Sequence, residues 1–259
     1  MNITGYRGKR HDEPGYDIMV QAESGLMAIT GPEDGPGYKT GVAIVDVLTG
    51  LLAANGILGG LIRATRTGEG AHLSISLFQT ALMSLVNVAS NYLVDGKPSR
   101  RWGNAHANIV PYQHFELADR AIIIGCGNDR QFQRLCTLLG ITDEDFLQQD
   151  NPWRVANRHK VITRIAALVA DKTSQSFLVD LRKQRIPCAP ILNPAEALAQ
   201  VGSWDEDALL VLKHEQLGEV QLVNTPLVGE GMRREHAAPP RMNEGGAQLA
   251  ERWLNESTK

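Results

Sequence analysis

From Gly41 to about Thr65 apolar residues fall on nearly every helical face of "GVAIVDVLTGLLAANGILGGLIRAT". That pattern predicts one long helix, hydrophobic almost all round and so buried on most faces. Its Gly50, Gly56, Gly59 and Gly60 each cost about 1 kcal/mol relative to alanine, a cost that close backbone packing would offset. Upstream, residues 1–40 are rich in Gly and Pro and hold one helical candidate, "YDIMVQAESGLMAI". Downstream, Leu73, Ile75 and Leu77 alternate as in a half-buried strand, and one helix is expected from Gln79 to Val94, ended by "DGKPSR".

Beyond residue 100 the texture changes. "GKPSRRWGNAHANIVPY" is punctuated by Gly and Pro, carries Lys97, Arg100 and Arg101, and reads as an interdomain linker. "YQHFEL" and "AIIIGC" predict a hairpin turning at "ADR", with His114 facing outward beside Phe115. Helices are expected at Asp129–Leu139, Asn157–Asp171 and Ser174–Gln184, then an exit strand at "IPCAPIL". "LLVLKH" and "EVQLVN" predict a second hairpin, and "HAAPPRMNEGG" reads as irregular before a last helix at Ala247–Asn255. The resulting organisation is residues 1–100, 101–192 and 193–259.

The chain has 259 residues, a formal net charge of -3 and 43% hydrophobic content. No global basic field draws it to nucleic acid or to an anionic membrane. Asp46, Asn55 and the glycines set the apolar stretch apart from a membrane span. The three cysteines, Cys126, Cys136 and Cys188, show no CxxC pair. With no apolar leader at the start, they predict free thiols in the cytoplasm. Phosphate-loop, zinc-protease and serine-hydrolase motifs are absent, and no Cys/His cluster has zinc spacing, so neither a metal nor a tightly bound cofactor is expected. "GCGNDRQ" lacks a third Gly and a following acid, so a strand-to-helix turn capped by Asn128 or Asp129 explains it.

Asp46 is the only charge between Gly41 and Leu61, and the residues leave it two roles. As structure, an acid in a first helical turn complements the positive end of the helix dipole. As chemistry, a carboxylate in an apolar, glycine-lined pocket can attack an activated acyl group.

"ITGYRG", "PGYDIMVQAESGLMAITG" and the run from Gly41 through "RTGEGAHLSISLFQTAL" resemble the class III CoA-transferase family. So do "RWGNAHANIVPYQHF", "GCGNDRQFQRLC", "NRHKVITRI" and "RIPCAPILNPAEAL", in colinear order over nearly the whole chain. The resemblance implies an α/β fold: the remainder of a Rossmann-like large domain plus a small α+β domain, in an interlocked homodimer. It also implies that Asp46 is the nucleophile. Asp46 would attack the donor thioester to give a mixed anhydride, and free CoA thiolate would convert this to an aspartyl-CoA thioester. A carboxylic acid acceptor would then leave as the new CoA ester. An ordinary carboxylate is already ionised near neutral pH, so no general base is needed. Coenzyme A is thus a substrate; the donor could be succinyl-CoA, the acceptor a dicarboxylate.

The related racemases carry His where this chain has Tyr16, so a racemase would lack one of its two bases. Tyr16 is either a substrate contact or a packed aromatic. Gln21, one helical turn after Asp17, is expected to face the same side as Asp17 and joins Tyr16 as a candidate substrate contact. Gly103, Asn104 and His106 occupy the place of a glycine-rich loop that closes over the nucleophile in some members. The family ordinarily has a long segment ahead of "ITGYRG" that supplies most CoA contacts. A catalytically silent fragment, or a subunit completed by a separate N-terminal half, is therefore the competing expectation.

Overall fold

The computed structural model describes residues 1–231, 236–240 and 245–256. The fold is mixed α/β, in two compact units, Met1–Pro190 and Ile191–Lys259.

In the first unit, β1 (Asn2–Thr4) lies parallel to β2 (Ser74–Ser76), with Ile3 opposite Ile75. Around this pair pack α1 (Asp17–Glu23), α2 (Leu26–Ile29), α3 (Ile44–Thr67) and α4 (Leu77–Ser84), and α5 (Asn87–Asp95) follows. Tyr6, Val20, Val45, Leu77 and Ala81 form their small core. The expected Tyr16–Ile29 helix is broken because Gly25 has φ 90, a left-handed geometry open to glycine at little cost. The expected Gln79–Val94 helix is also two, bent by 79° at Val86. It starts early because the Ser76 hydroxyl accepts the Gln79 N–H (3.4 Å), closing β2 and capping α4.

The helix over Gly41–Thr65 forms as Ile44–Thr67, but it is not buried on most faces. Val45, Thr49 and Ala53 are enclosed, whereas Val47, Leu51, Leu58, Leu61 and Ile62 are exposed. Among the described residues only one stripe of α3 is buried. By length and composition it could also cross a membrane.

The rest of the unit holds the larger core. β3 (Tyr112–Glu116) and β4 (Ala121–Gly125) form the expected antiparallel hairpin, and β5 (Cys188–Pro190) pairs along β4. Five helices surround this sheet: α6 (Asp129–Leu138), α7 (Glu144–Leu147), α8 (Asn151–Ala156), α9 (Arg158–Val169) and α10 (Ser174–Lys183). Ile122, Ile124, Phe132, Leu135, Ile165 and Leu181 meet at its centre. Asn128 caps α6, accepting the Gln131 N–H at 3.0 Å, which accounts for "GCGNDRQ" as a turn.

In the second unit, α11 (Pro194–Val201) opens on a reciprocal capping box between Asn193 and Glu196. β6 (Leu209–His214) pairs antiparallel with β7 (Gly218–Val223) as expected. Residues 236–240 carry no regular element, 241–244 lie outside the described residues, and α12 spans Gly246–Glu256.

Candidate active site

Asp46 occupies the first turn of α3, and its side chain is exposed rather than enclosed by apolar neighbours. The N-cap residue, Ala43, has no side-chain acceptor, so the first amides of the helix need a remote one. Asp17 supplies it: Oδ2 accepts the N–H of Val45 at 2.8 Å and of Asp46 at 3.3 Å. The Ile44 N–H goes to Val42 O (2.8 Å) and the Val47 N–H to Ala43 O (3.2 Å). The first turn therefore offers no spare amide for an oxyanion. Any such donor must come from elsewhere.

Gln21 lies on the same side of α1 as Asp17, as expected, and is completely enclosed. Its amide NH2 donates to Asp17 Oδ1, and its carbonyl accepts the Thr40 N–H at 3.0 Å. Gln21 is thus a bracket beneath the segment leading into α3. Tyr16, the residue before α1, is 70% exposed beside this network. Its position depends on two glycines: a Cβ on Gly5 would stand 2.5 Å from the Gly15 Cα, and one on Gly15 would stand 2.7 Å from the Gly5 Cα. "ITGYRG" and "PGYD" can cross only because both lack side chains.

Thr40 and Gly41, just ahead of α3, form one edge of a cleft of about 1120 Å³. Gly103 and Asn104 line it, as do Lys39, His114, Arg158 and His159. His106 is exposed and is not among the lining residues. It shapes the loop instead, with Nδ1 accepting the Asn108 N–H (3.1 Å) and the carbonyl accepting from Arg158 Nη2 (2.8 Å). His114 does not face open solvent. The face of β3 opposite Phe115 forms cleft wall, and His114 Nδ1 is enclosed with no hydrogen-bond partner among the described residues.

The expected linker is a clasp. Arg101 donates to the carbonyls of Ala28 (3.1 Å), Pro32 (3.0 Å) and Gly35, and Arg100 pairs with Glu33 at 2.8 Å. Trp102 has the Arg100 guanidinium 3.9 Å and the Arg158 guanidinium 4.9 Å from its ring centre. Burial, and the nearby charge of Arg100, lower the Arg158 pKa from its ordinary value. The lining is cation-rich because its one carboxylate, Glu33, is already paired. Among the described residues no three His, Cys, Asp or Glu side chains are grouped to hold a metal ion.

Sequence reasoning singled out Asp46, Tyr16, Gln21, Gly103, Asn104 and His106 as candidates, passed over Asp17, Lys39, Arg158 and His159, and set His114 on an outward face. One signal was available: a helix entered through Ala43, a poor cap, implies an acceptor supplied from another segment.

Comparison with known proteins bears on the whole of this arrangement. The chain is 33% identical over 243 residues to the succinyl-CoA:glutarate CoA-transferase of Mus musculus, covering 92% of this chain and 56% of that protein. It is 35% identical over 253 residues to the succinate–glutarate CoA-transferase of Agrobacterium fabrum, covering 96% and 63% respectively. The crystal structure of a CaiB/BaiF family protein from Brucella suis superposes with a TM-score of 0.81 at 35% identity, over 96% of this chain and 66% of that one. The chain thus spans between about half and two thirds of the length of these relatives. Residues 1–245 match the sequence model of CoA-transferase family III. With that match over nearly its full length, a shared fold and curated relatives above 30% identity, the chain belongs to CoA-transferase family III.

Proposed function

We propose that this chain carries the catalytic nucleophile of a CoA-transferase that moves CoA from an acyl-CoA to a carboxylic acid. One observation carries the reading: Asp46 stands exposed on the first turn of α3, five residues beyond Gly41, which with Thr40 edges a cleft lined by Lys39 and Arg158. Both donor and acceptor carry carboxylates if the acids are dicarboxylic, and Lys39, Arg158 and the two histidines suit such anions. The relatives named for succinyl-CoA and glutarate point to the same substrate class, with succinyl-CoA as donor.

An Asp46 oxygen attacks the thioester carbonyl, the C–S bond breaks and CoA thiolate leaves. The thiolate then attacks the Asp46 acyl carbon of the anhydride, giving aspartyl-CoA and releasing the donor acid. The acceptor carboxylate reverses both steps and departs as its CoA ester. Tyr16, in place of a second base, fits transfer better than racemisation. CoA enters as substrate and no tightly bound cofactor is needed. The three free thiols suit a reducing compartment such as the cytoplasm.

Incubation with succinyl-CoA followed by hydroxylamine should leave a hydroxamate at Asp46, read by mass spectrometry, and Asp46→Ala should leave none. An unlabelled wild type that also fails to bind CoA would rule out catalysis by this chain alone.

The exposed Leu51, Leu58, Leu61 and Ile62 of α3 support a second element of the reading. We propose that this stripe packs against a second copy of the chain in a homodimer. A separate N-terminal half covering the stripe is the alternative.

A further inference from the structure

The Asp17–Gln21–Thr40 chain of hydrogen bonds has a consequence for the nucleophile. Asp17 is the residue after Tyr16, is half-buried, and has both carboxylate oxygens engaged: Oδ2 by Val45 and Asp46 amides, Oδ1 by Gln21. The contacts of Asp46 differ. Its backbone N–H is held, while among the described residues no hydrogen bond reaches its carboxylate. Of two acids drawn to one helix terminus, Asp17 is consumed in structure and Asp46 is left available to react. We propose that Asp17 is a positioning residue. Through Gln21 it braces the segment Thr40–Asp46 so that the first turn of α3 presents the Asp46 carboxylate in one fixed direction. This inference rests on Asp46 being the nucleophile.

Gln21 is suited to the link by chemistry as well as by place. Its amide must donate to a carboxylate at one end and accept from the Thr40 N–H (3.0 Å) at the other. The Thr40 hydroxyl also lies 3.4 Å from Gln21 Oε1 and 2.8 Å from Val42 O, a further tie in the same segment. A glutamate at 21 would set a second charge against Asp17, and a shorter asparagine would not span the two. Because the bracket is fully enclosed, water cannot readily substitute for a lost partner. Placement of a reacting group matters steeply, since a shift of about 1 Å costs about a hundredfold in rate.

The prediction can be tested with three forms of the full chain: wild type, Asp17→Ala, and the swap Asp17→Asn/Gln21→Glu. The swap moves the negative charge to position 21 but keeps an acceptor over every donor. The new amide's carbonyl at position 17 faces the α3 amides, and the new carboxylate at position 21 faces both that amide's NH2 and the Thr40 N–H. Amide hydrogen exchange at Val45 and Asp46 should accelerate about ten- to a hundredfold in Asp17→Ala, the loss expected for a charged acceptor. Single-turnover formation of the Asp46 hydroxamate should slow, while half-saturation by succinyl-CoA stays unchanged. The swap should return both readouts toward wild type, an effect that a general folding defect would not show. Unchanged exchange in Asp17→Ala, or a folded swap variant no better than Asp17→Ala, would overturn the brace. An unlabelled wild type whose exchange responds as expected would instead overturn the nucleophile assignment.

Discussion

A carboxylate near a helix start can be a cap, a partner or a reagent, and this chain uses two of them as remote caps. Asp17 serves α3, and Asp119 serves α10 in the same way. The Ser174 N–H (2.8 Å) and hydroxyl (2.6 Å) both donate to Asp119, whereas the side chain of the cap residue Thr173 accepts from no helix amide. The Ser174 bonds hold the Asp119 carboxyl below its ordinary 3.8. A carboxyl whose folded pKa is depressed adds stability that is present above its unfolded pKa and lost as pH falls through the folded one. Thermal stability should therefore decline as pH drops below about 3.8. Asp119→Asn should melt lower than wild type at neutral pH and converge with it near the acid end, a comparison that calorimetry across pH can make. Val86 is a different local case: φ 42 and ψ -118 are strained for a β-branched residue, and its side chain is 66% exposed, so little packing compensates. Val86→Gly should raise stability by about 1 kcal/mol in urea unfolding. The sequence marked Asp46 as unusual from its apolar surroundings, but nothing local distinguished Asp17 or Asp119. Their partners lie 28 and 55 residues further along the chain.

Among the elements, α8 depends on one side chain. Arg154 is fully enclosed, with Nε donating to Val110 O (2.7 Å), Nη1 to Gln149 O (2.5 Å) and its guanidinium 4.4 Å from the Phe132 ring centre. The Asp129 carboxylate lies 2.8 Å from Nη2 as an ion pair without hydrogen-bond alignment. Arg154→Leu would retain bulk but strand the two carbonyls, so a loss of about 3–5 kcal/mol is expected in chemical denaturation. Periodicity located most elements well, because helix and strand spacing is a local property: the β3–β4 hairpin, α6, α9, α10 and the β6–β7 hairpin stand within a few residues of expectation. The break at Gly25 had a visible cause, a glycine. The break at Val86 had none, since "LMSLVNVAS" keeps an apolar helical pattern straight through it. The short α7, α8 and α11, all opened by a polar cap or proline, were not predicted, because each buries little periodic surface.

For the molecule as a whole, the proposed association centres on α3. Leu51, Leu58 and Ile62 recur at helical spacing on one stripe and are exposed, an arrangement that costs solubility unless something covers it. If a second copy does so, sedimentation should show a dimer, and Leu58→Glu/Ile62→Glu should weaken it by at least about tenfold. A chain that stays monomeric yet binds a separately produced N-terminal half would assign the stripe to that partner instead.

Residue order alone was enough to identify the family and the principal elements, and to single out Asp46 as a candidate. Those features depend on spacing and motif, which are written along the chain. Their arrangement in space was not: that among the described residues α3 is buried on only one stripe, that Arg100 and Arg101 clasp the 28–35 segment rather than merely link, that His114 walls a cleft, and that Asp17 rather than Ala43 caps α3. Each of these follows from contacts between residues tens of positions apart. Local periodicity carries no record of such partners, so folding had to bring them together before their roles could be assigned.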